Sequence, residues 1–101
     1  MNYSIIVQPE AEEDLSVAFD WYEKSRVGLG YDFLLQVDAG FNFITRHPNS
    51  HENGYAGTKK HLIKRFPYKI IYTIDQNNIV ILAVLHSRRN PELLKKRISE
   101  Q

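Results

Sequence analysis

The run Ile79-Val-Ile-Leu-Ala-Val-Leu85 constrains the fold more than any other stretch of the chain. It is apolar at every position, so the alternation of side chains along a strand leaves it no face for water. A strand of this kind belongs in the middle of a sheet, covered on each side at least in part. Upstream, residues 59–75 read as two further strands, broken by Phe66-Pro67, and Asp75-Gln-Asn-Asn78 turns the chain into the last one. Residues 59–91 are therefore expected to form a meander of neighbouring antiparallel strands. In its second strand Tyr68, Ile70, Tyr72 and Ile74 share one face, and Lys69, Ile71, Thr73 and Asp75 share the other.

The first half of the chain supplies the cover. Tyr3-Ser-Ile-Ile-Val-Gln8 is a short β-branched strand. Pro9, followed by Glu10, Glu12, Glu13 and Asp14, marks a helix start, since the missing N–H costs nothing there and acids suit the positive end of the dipole. These carboxylates read as a solvated first turn. Ala11, Leu15, Ala18, Phe19 and Tyr22 make one apolar helical face, with Trp21 on its flank, and the helix should end near Lys24-Ser25. Gly28 and Gly30 break the chain, and a second helix is predicted over 29–46 with Phe33, Leu34, Val37, Phe41 and Ile44 on its apolar side. Pro48 stops it. Residues 49–58 form a loop, and Asn90-Pro91 opens a short terminal helix with Leu93, Leu94 and Ile98 apolar.

The predicted class is α+β, in the order β-α-α-β-β-β-α, with a helical hairpin packed on a twisted antiparallel sheet. The core is expected to include Leu15, Tyr22, Phe33, Val37, Phe41, Ile70, Tyr72, Ile81 and Ala83. At 101 residues this is one domain, 1–101. The absence of cysteine excludes disulfides and thiolate chemistry and points to a reducing compartment. No apolar run approaches the roughly 20 residues that span a bilayer, and no signal peptide is visible, so the expected location is the cytoplasm, away from membranes.

A net charge of +1 conceals a strong asymmetry. Residues 1–58 hold three Lys/Arg against nine Asp/Glu, a net of −6, whereas residues 59–101 hold ten against three, a net of +7. The basic half points to an acidic or polyanionic partner.

Several short motifs carry a resemblance. They are Ala11-x-x-Asp14-Leu15 with Trp21-Tyr22-Glu23, Gly28-Leu-Gly30 leading to Phe33-Leu34, Phe66-Pro67-Tyr68-x-Ile70-x-Tyr72, and His86-x-Arg88-Arg89-x-Pro91. Singly they are weak; together and in order the chain resembles the RelE/ParE superfamily of toxins from bacterial type II toxin–antitoxin (plasmid stabilisation) systems, closest to the ParE-like branch. The resemblance implies a cognate antitoxin that wraps and silences the toxin, an assembly that is a homodimer or a heterotetramer with the antitoxin, and growth inhibition through one of two targets. RelE-like members cleave messenger RNA on the ribosome; ParE-like members poison DNA gyrase. A third reading is an inactive toxin-derived binding module.

RNA cleavage needs a base for the 2′-hydroxyl, an acid for the leaving oxygen and cations for the phosphate. Arg65, on the first meander strand, His86 and Arg88 are the candidates for that chemistry. The nuclease pattern carries a tyrosine near the end of the sheet; here Ser87 follows His86 and no tyrosine follows Tyr72. The gyrase-directed reading is therefore favoured, with Lys64, Lys69, Arg88, Arg89, Lys95, Lys96 and Arg97 as the residues that bind target or antitoxin. No cofactor is expected. His47 and His51 have metal-like spacing, but Pro48 interrupts any helix that would align them, so no metal site is expected either.

Overall fold

The computed structural model describes residues 2–88 and 91–99. The elements are β1 (Ser4–Val7), α1 (Pro9–Ser25), α2 (Leu29–Arg46), a short 3-10 turn (Tyr55–Gly57), β2 (Lys59–Leu62), β3 (Tyr68–Asp75), β4 (Asn78–His86) and α3 (Pro91–Ser99). The helical hairpin and the β-α-α-β-β-β-α order are as the sequence predicts.

The sheet has four strands in the order β1-β4-β3-β2. β2, β3 and β4 form the expected antiparallel meander, while β1 joins β4 in parallel, Val7 opposite Ile81, so the sheet is mixed. The apolar β4 thus has a strand on each edge and a layer on each face. The helical hairpin covers one face, where Phe33, Val37 and Ile44 pack with Ile70, Tyr72, Ile79, Ile81 and Val84. On the other face Ile71, Leu82, Ala83 and Leu85 meet Leu93 and Leu94 of α3. From Ile81 to Leu85 the strand is buried on both faces, as a run without polar positions requires, while Val80 is half-buried.

One irregularity positions everything at the end of β4. Ile71 pairs with Ala83, but Tyr72 pairs with Ile81, so Leu82 is an extra residue and the strand bulges there. The bulge reverses the phase of β4. Ile79 and Ile81 face the hairpin before it; Val84 does so after it, with Ala83 and Leu85 turned to α3.

The buried side of α2 is rotated slightly from expectation. Gly30, Phe33, Val37, Gly40 and Ile44 are buried, while Leu34 and Phe41 pack at the margin. The glycines explain the rotation. A Cβ on Gly40 would stand 2.8 Å from Ile70 Cδ1, so the bare backbone lets α2 sit directly on the sheet. Leu15 and Tyr22 of α1 are likewise marginal, whereas Ala11 and Ala18 take the innermost places.

Candidate functional site

Tyr68 is the β3 partner of His86, and the two rings meet edge to face with centroids 5.4 Å apart. Trp21 of α1 lies beside them, 68% exposed, over a cleft of about 320 Å³ that His86 and Tyr68 also line. So large an exposed indole marks a contact surface rather than a core. Sequence spacing alone misses this grouping. Period-two counting from Ile79 puts His86 on the opposite face; only the bulge at Leu82 turns it toward the hairpin.

The candidate cations approach the same end of the sheet. The pair Tyr68–His86, and the bond in which Ser87 N donates to the Pro67 carbonyl at 2.7 Å, hold segment 65–68 against segment 86–88. Arg65 is not on a strand, as expected from sequence, but in the loop between β2 and β3. Beyond the last pair, Leu62–Lys69, only Ile63 N still reaches across, to the Tyr68 carbonyl at 3.1 Å; Tyr68 N turns back to the Phe66 carbonyl at 2.8 Å, and buried Ile63 and Phe66 pin the intervening turn to the core. Arg65 adopts φ +71°, which is uncommon for an arginine, and its guanidinium lies 5.8 Å from the centre of the Phe66 ring. His86 Nδ1 accepts a hydrogen bond from the Arg88 amide at 3.1 Å. Neutral His86 therefore carries its proton on Nε2. Arg89 lies outside the described residues.

Asp14 corrects the reading of the first α1 turn as a solvated start. It accepts from Val84 N at 3.0 Å and from both terminal nitrogens of Arg97, at 2.6 and 3.2 Å. Past Val7, β1 leaves β4, and the Asp14 carboxylate takes over the edge at the bulge. Arg97 is thereby turned inward and its charge is committed. Lys95 and Lys96 remain exposed on α3.

A second concave feature lies on the α3 face of the sheet, a cavity of about 350 Å³. Ile71, Leu85 and Leu94 form its apolar floor, Tyr55 one wall, and Lys60 and Lys69 its rim. Lys60 is paired with Ile71 and Lys69 with Leu85, so both lysines stand on the face that α3 covers. Among the described residues neither makes an ion pair. Lys95 adds its ammonium 5.6 Å from the Tyr55 ring centre. Lys64 lines a different cavity beneath α2, beside Gly40 and His61. Burial, with Tyr68 adding to it, pushes the Tyr22 phenol up from its ordinary value, so it stays a neutral donor.

A family model, the ParE toxin of type II toxin–antitoxin systems (parDE), matches residues 5–91, from β1 through the end of the sheet. The chain belongs to the ParE toxin family. A solved structure described as the chromosomal ParDE toxin–antitoxin system from P. aeruginosa shares the fold, with a TM-score of 0.75 over 83% of this chain and 95% of that one, at 15% identity. No curated protein matches the sequence. The ParE match covers every element that builds the His86 end of the sheet and stops at the first residue of α3. A ParE-family toxin of a type II system has an antitoxin as its partner. No helix among the described residues is long and apolar enough to cross a membrane.

Proposed function

We propose that this ParE-family toxin acts on DNA gyrase and is silenced by a cognate antitoxin whose acidic, apolar-studded segment docks over the Lys60–Lys69 cavity. Membership of the ParE family carries the first half, because ParE-like toxins poison gyrase. The chemistry of His86 supports it. Its Nδ1 is already used by the Arg88 amide, and the nearest carboxylate in the adjoining cavity, Asp14, is tied to Arg97 and Val84. Arginines at 65 and 88 with no free base bind phosphate or an acidic protein surface but activate no nucleophile. The purified toxin should abolish gyrase supercoiling or trap cleaved DNA, and should leave messenger RNA intact on ribosomes.

One observation favours the ribosomal reading instead. Tyr68 and His86 stand directly opposite each other, a His–Tyr pair assembled from two strands rather than from neighbours in sequence. Codon-positioned RNA cleavage that His86→Gln abolishes would establish that reading and overturn the gyrase one. Persistent gyrase inhibition by His86→Gln, with Arg88→Glu inactive, is the result the proposal expects.

A further inference from the structure

The segment between α2 and β2 is fastened to the sheet by Tyr72, by Lys59 and by the ring of His51, and the hydrogen bonds of that ring can be assigned from a single group. The Pro48 carbonyl can only accept. Tyr72 Oη, 2.9 Å away and buried, therefore donates its one proton there. The same oxygen is 3.0 Å from His51 Nδ1 and has only lone pairs left to offer, so Nδ1 carries a proton. Ser50 Oγ, 3.3 Å from that nitrogen, donates to the His47 carbonyl and is a second acceptor for the same N–H. Neutral His51 then has its lone pair on Nε2. His61 Nδ1 lies 3.0 Å from it and must be the donor. Both neutral rings thus carry their proton on Nδ1, the minor form of imidazole in water, because one carbonyl at the far end of the relay can do nothing but accept.

We propose that the His51–His61 contact is a proton-operated latch, holding residues 48–58 to the sheet while at most one ring is charged and releasing them when both are. The first proton does not break it. A charged His51 donates from Nε2, and His61 moves its own proton to Nε2 and accepts on Nδ1. The second proton sets N–H against N–H, with no lone pair between them.

The surroundings make that second proton costly. His51 faces Lys59 of β2, whose ammonium also donates to the His51 carbonyl at 2.9 Å, and Tyr72 of β3. His61 shares its cavity with Arg46 of α2 and Lys64 of the following loop. Phe43 stacks on His61 with centroids 5.1 Å apart and also touches His47 and His51. The neighbouring acid, Glu52, is exposed and lines the cavity on the α3 face. Burial first, then Lys59, lowers the proton affinity of His51; burial first, then His51 and Lys64, lowers that of His61. Both rings titrate below their ordinary 6.5.

The latch has a consequence for docking that rests on the proposed function. Residues 52–55 wall the Lys60–Lys69 cavity, and Lys59 Nζ is tied to both the His51 carbonyl and Asn53 Oδ1. Releasing the segment removes that wall.

The test uses the whole free protein, labelled with nitrogen-15. Long-range ring spectra at about pH 8, where both rings are neutral, should show the Nδ1–H form for His51 and His61. On acidification, relaxation of the 49–58 amides should report loss of order in step with the second ring proton. His61→Gln, which can still hydrogen-bond but takes no charge, should keep the segment ordered over the same range. Either ring in the Nε2–H form at the alkaline end, or an ordered segment with both rings charged, overturns the latch. So does equal loosening in His61→Gln. If that variant does not fold, the wild-type tautomers and titration decide alone. An antitoxin that fails to bind at any pH counts against the docking reading and leaves the latch standing.

Discussion

Asp14 of α1 and Arg97 of α3 are joined by a two-pronged ion pair, with oxygen–nitrogen distances of 2.6 and 3.2 Å, although 83 residues separate them. The Asp14 side chain is 13% exposed and that of Arg97 18%, so the pair is largely shielded from water. It joins the helical hairpin on one face of the sheet to the terminal helix on the other, and the same carboxylate satisfies the Val84 amide at the bulge.

Removing one charge from this pair should cost more than the pair itself contributes. Asp14→Asn keeps an acceptor for Val84 but leaves the guanidinium uncompensated, at a cost of about 2–4 kcal/mol given the residual exposure. Adding Arg97→Met should recover part of that loss, because the orphaned charge goes with it. Urea denaturation of the three proteins checks this. An Asp14→Asn protein as stable as wild type would show that α3 is not held here.

Gly30 makes a sharper packing test. Its amide donates to Glu23 Oε1 at 2.8 Å, so a carboxylate on α1 caps the first turn of α2. A Cβ there would meet the Phe19 carbonyl at 2.8 Å and the side chains of Glu23 and Phe19 at 2.7 Å. Alanine normally gains about 0.5–1 kcal/mol over glycine inside a helix. Here overpacking of about 1–3 kcal/mol should win, because backbone cannot step aside. Gly30→Ala should lower the melting temperature, and a rise would show that the hairpin spreads without cost.

The same contrast shows what the sequence reveals and what it hides. The helix bounds 9–25 and 29–46 are legible because Pro9, Gly28 and Pro48 act through the local chain alone. Gly28, at φ +91°, needs no knowledge of its neighbours to be read as a break. The buried side of α2 is legible only approximately, since Gly30 and Gly40 carry no apolar signal and matter through what approaches them. The His86 site is hidden further. Tyr68 and His86 meet through strand register, and His86 faces the hairpin only because Leu82 is an extra residue in an unbroken apolar run. Nothing in Ile79–Leu85 marks where the phase slips. The roles of Asp14 and Arg97 are equally invisible, because each sits among like charges that are solvated.

Stability should fall at both ends of the pH scale for stated reasons. His51 and His61 bind protons less readily folded than unfolded, so below about 6.5 the unfolded chain takes up more protons and is favoured. The loss grows as pH falls toward the depressed folded values and then levels off. Burial pushes Tyr72 up from 10.0 to about 12, so the unfolded chain ionises first on the alkaline side. That contribution is intact below pH 10.0 and is lost by about 12. Melting temperatures across the range check both limbs. His61→Gln should flatten the acid limb, and Tyr72→Phe should weaken the alkaline one.

The lysine cavity leads to a kinetic prediction for the antitoxin. Lys60 and Lys69 stand on one face of the sheet over an apolar floor, and Lys64 lies beneath α2 on the other. Opposite charges steer encounter, so Lys60→Glu with Lys69→Glu should slow association roughly tenfold at low salt while changing dissociation less. Raising the salt should slow wild-type association and narrow the gap, as charges farther apart than a Debye length of about 10 Å are screened at 0.1 M. Lys64→Glu serves as the control, with nearly the wild-type rate, because it is held off the docking face. The double variant Asp14→Asn with Arg97→Met should also leave the rate nearly unchanged, since it removes a charge together with its match. Stopped-flow mixing of labelled toxin and antitoxin measures all four. Equal slowing by Lys64→Glu would move the docking surface to the α2 side, and no slowing by the Lys60/Lys69 pair would remove electrostatics from recognition at this cavity.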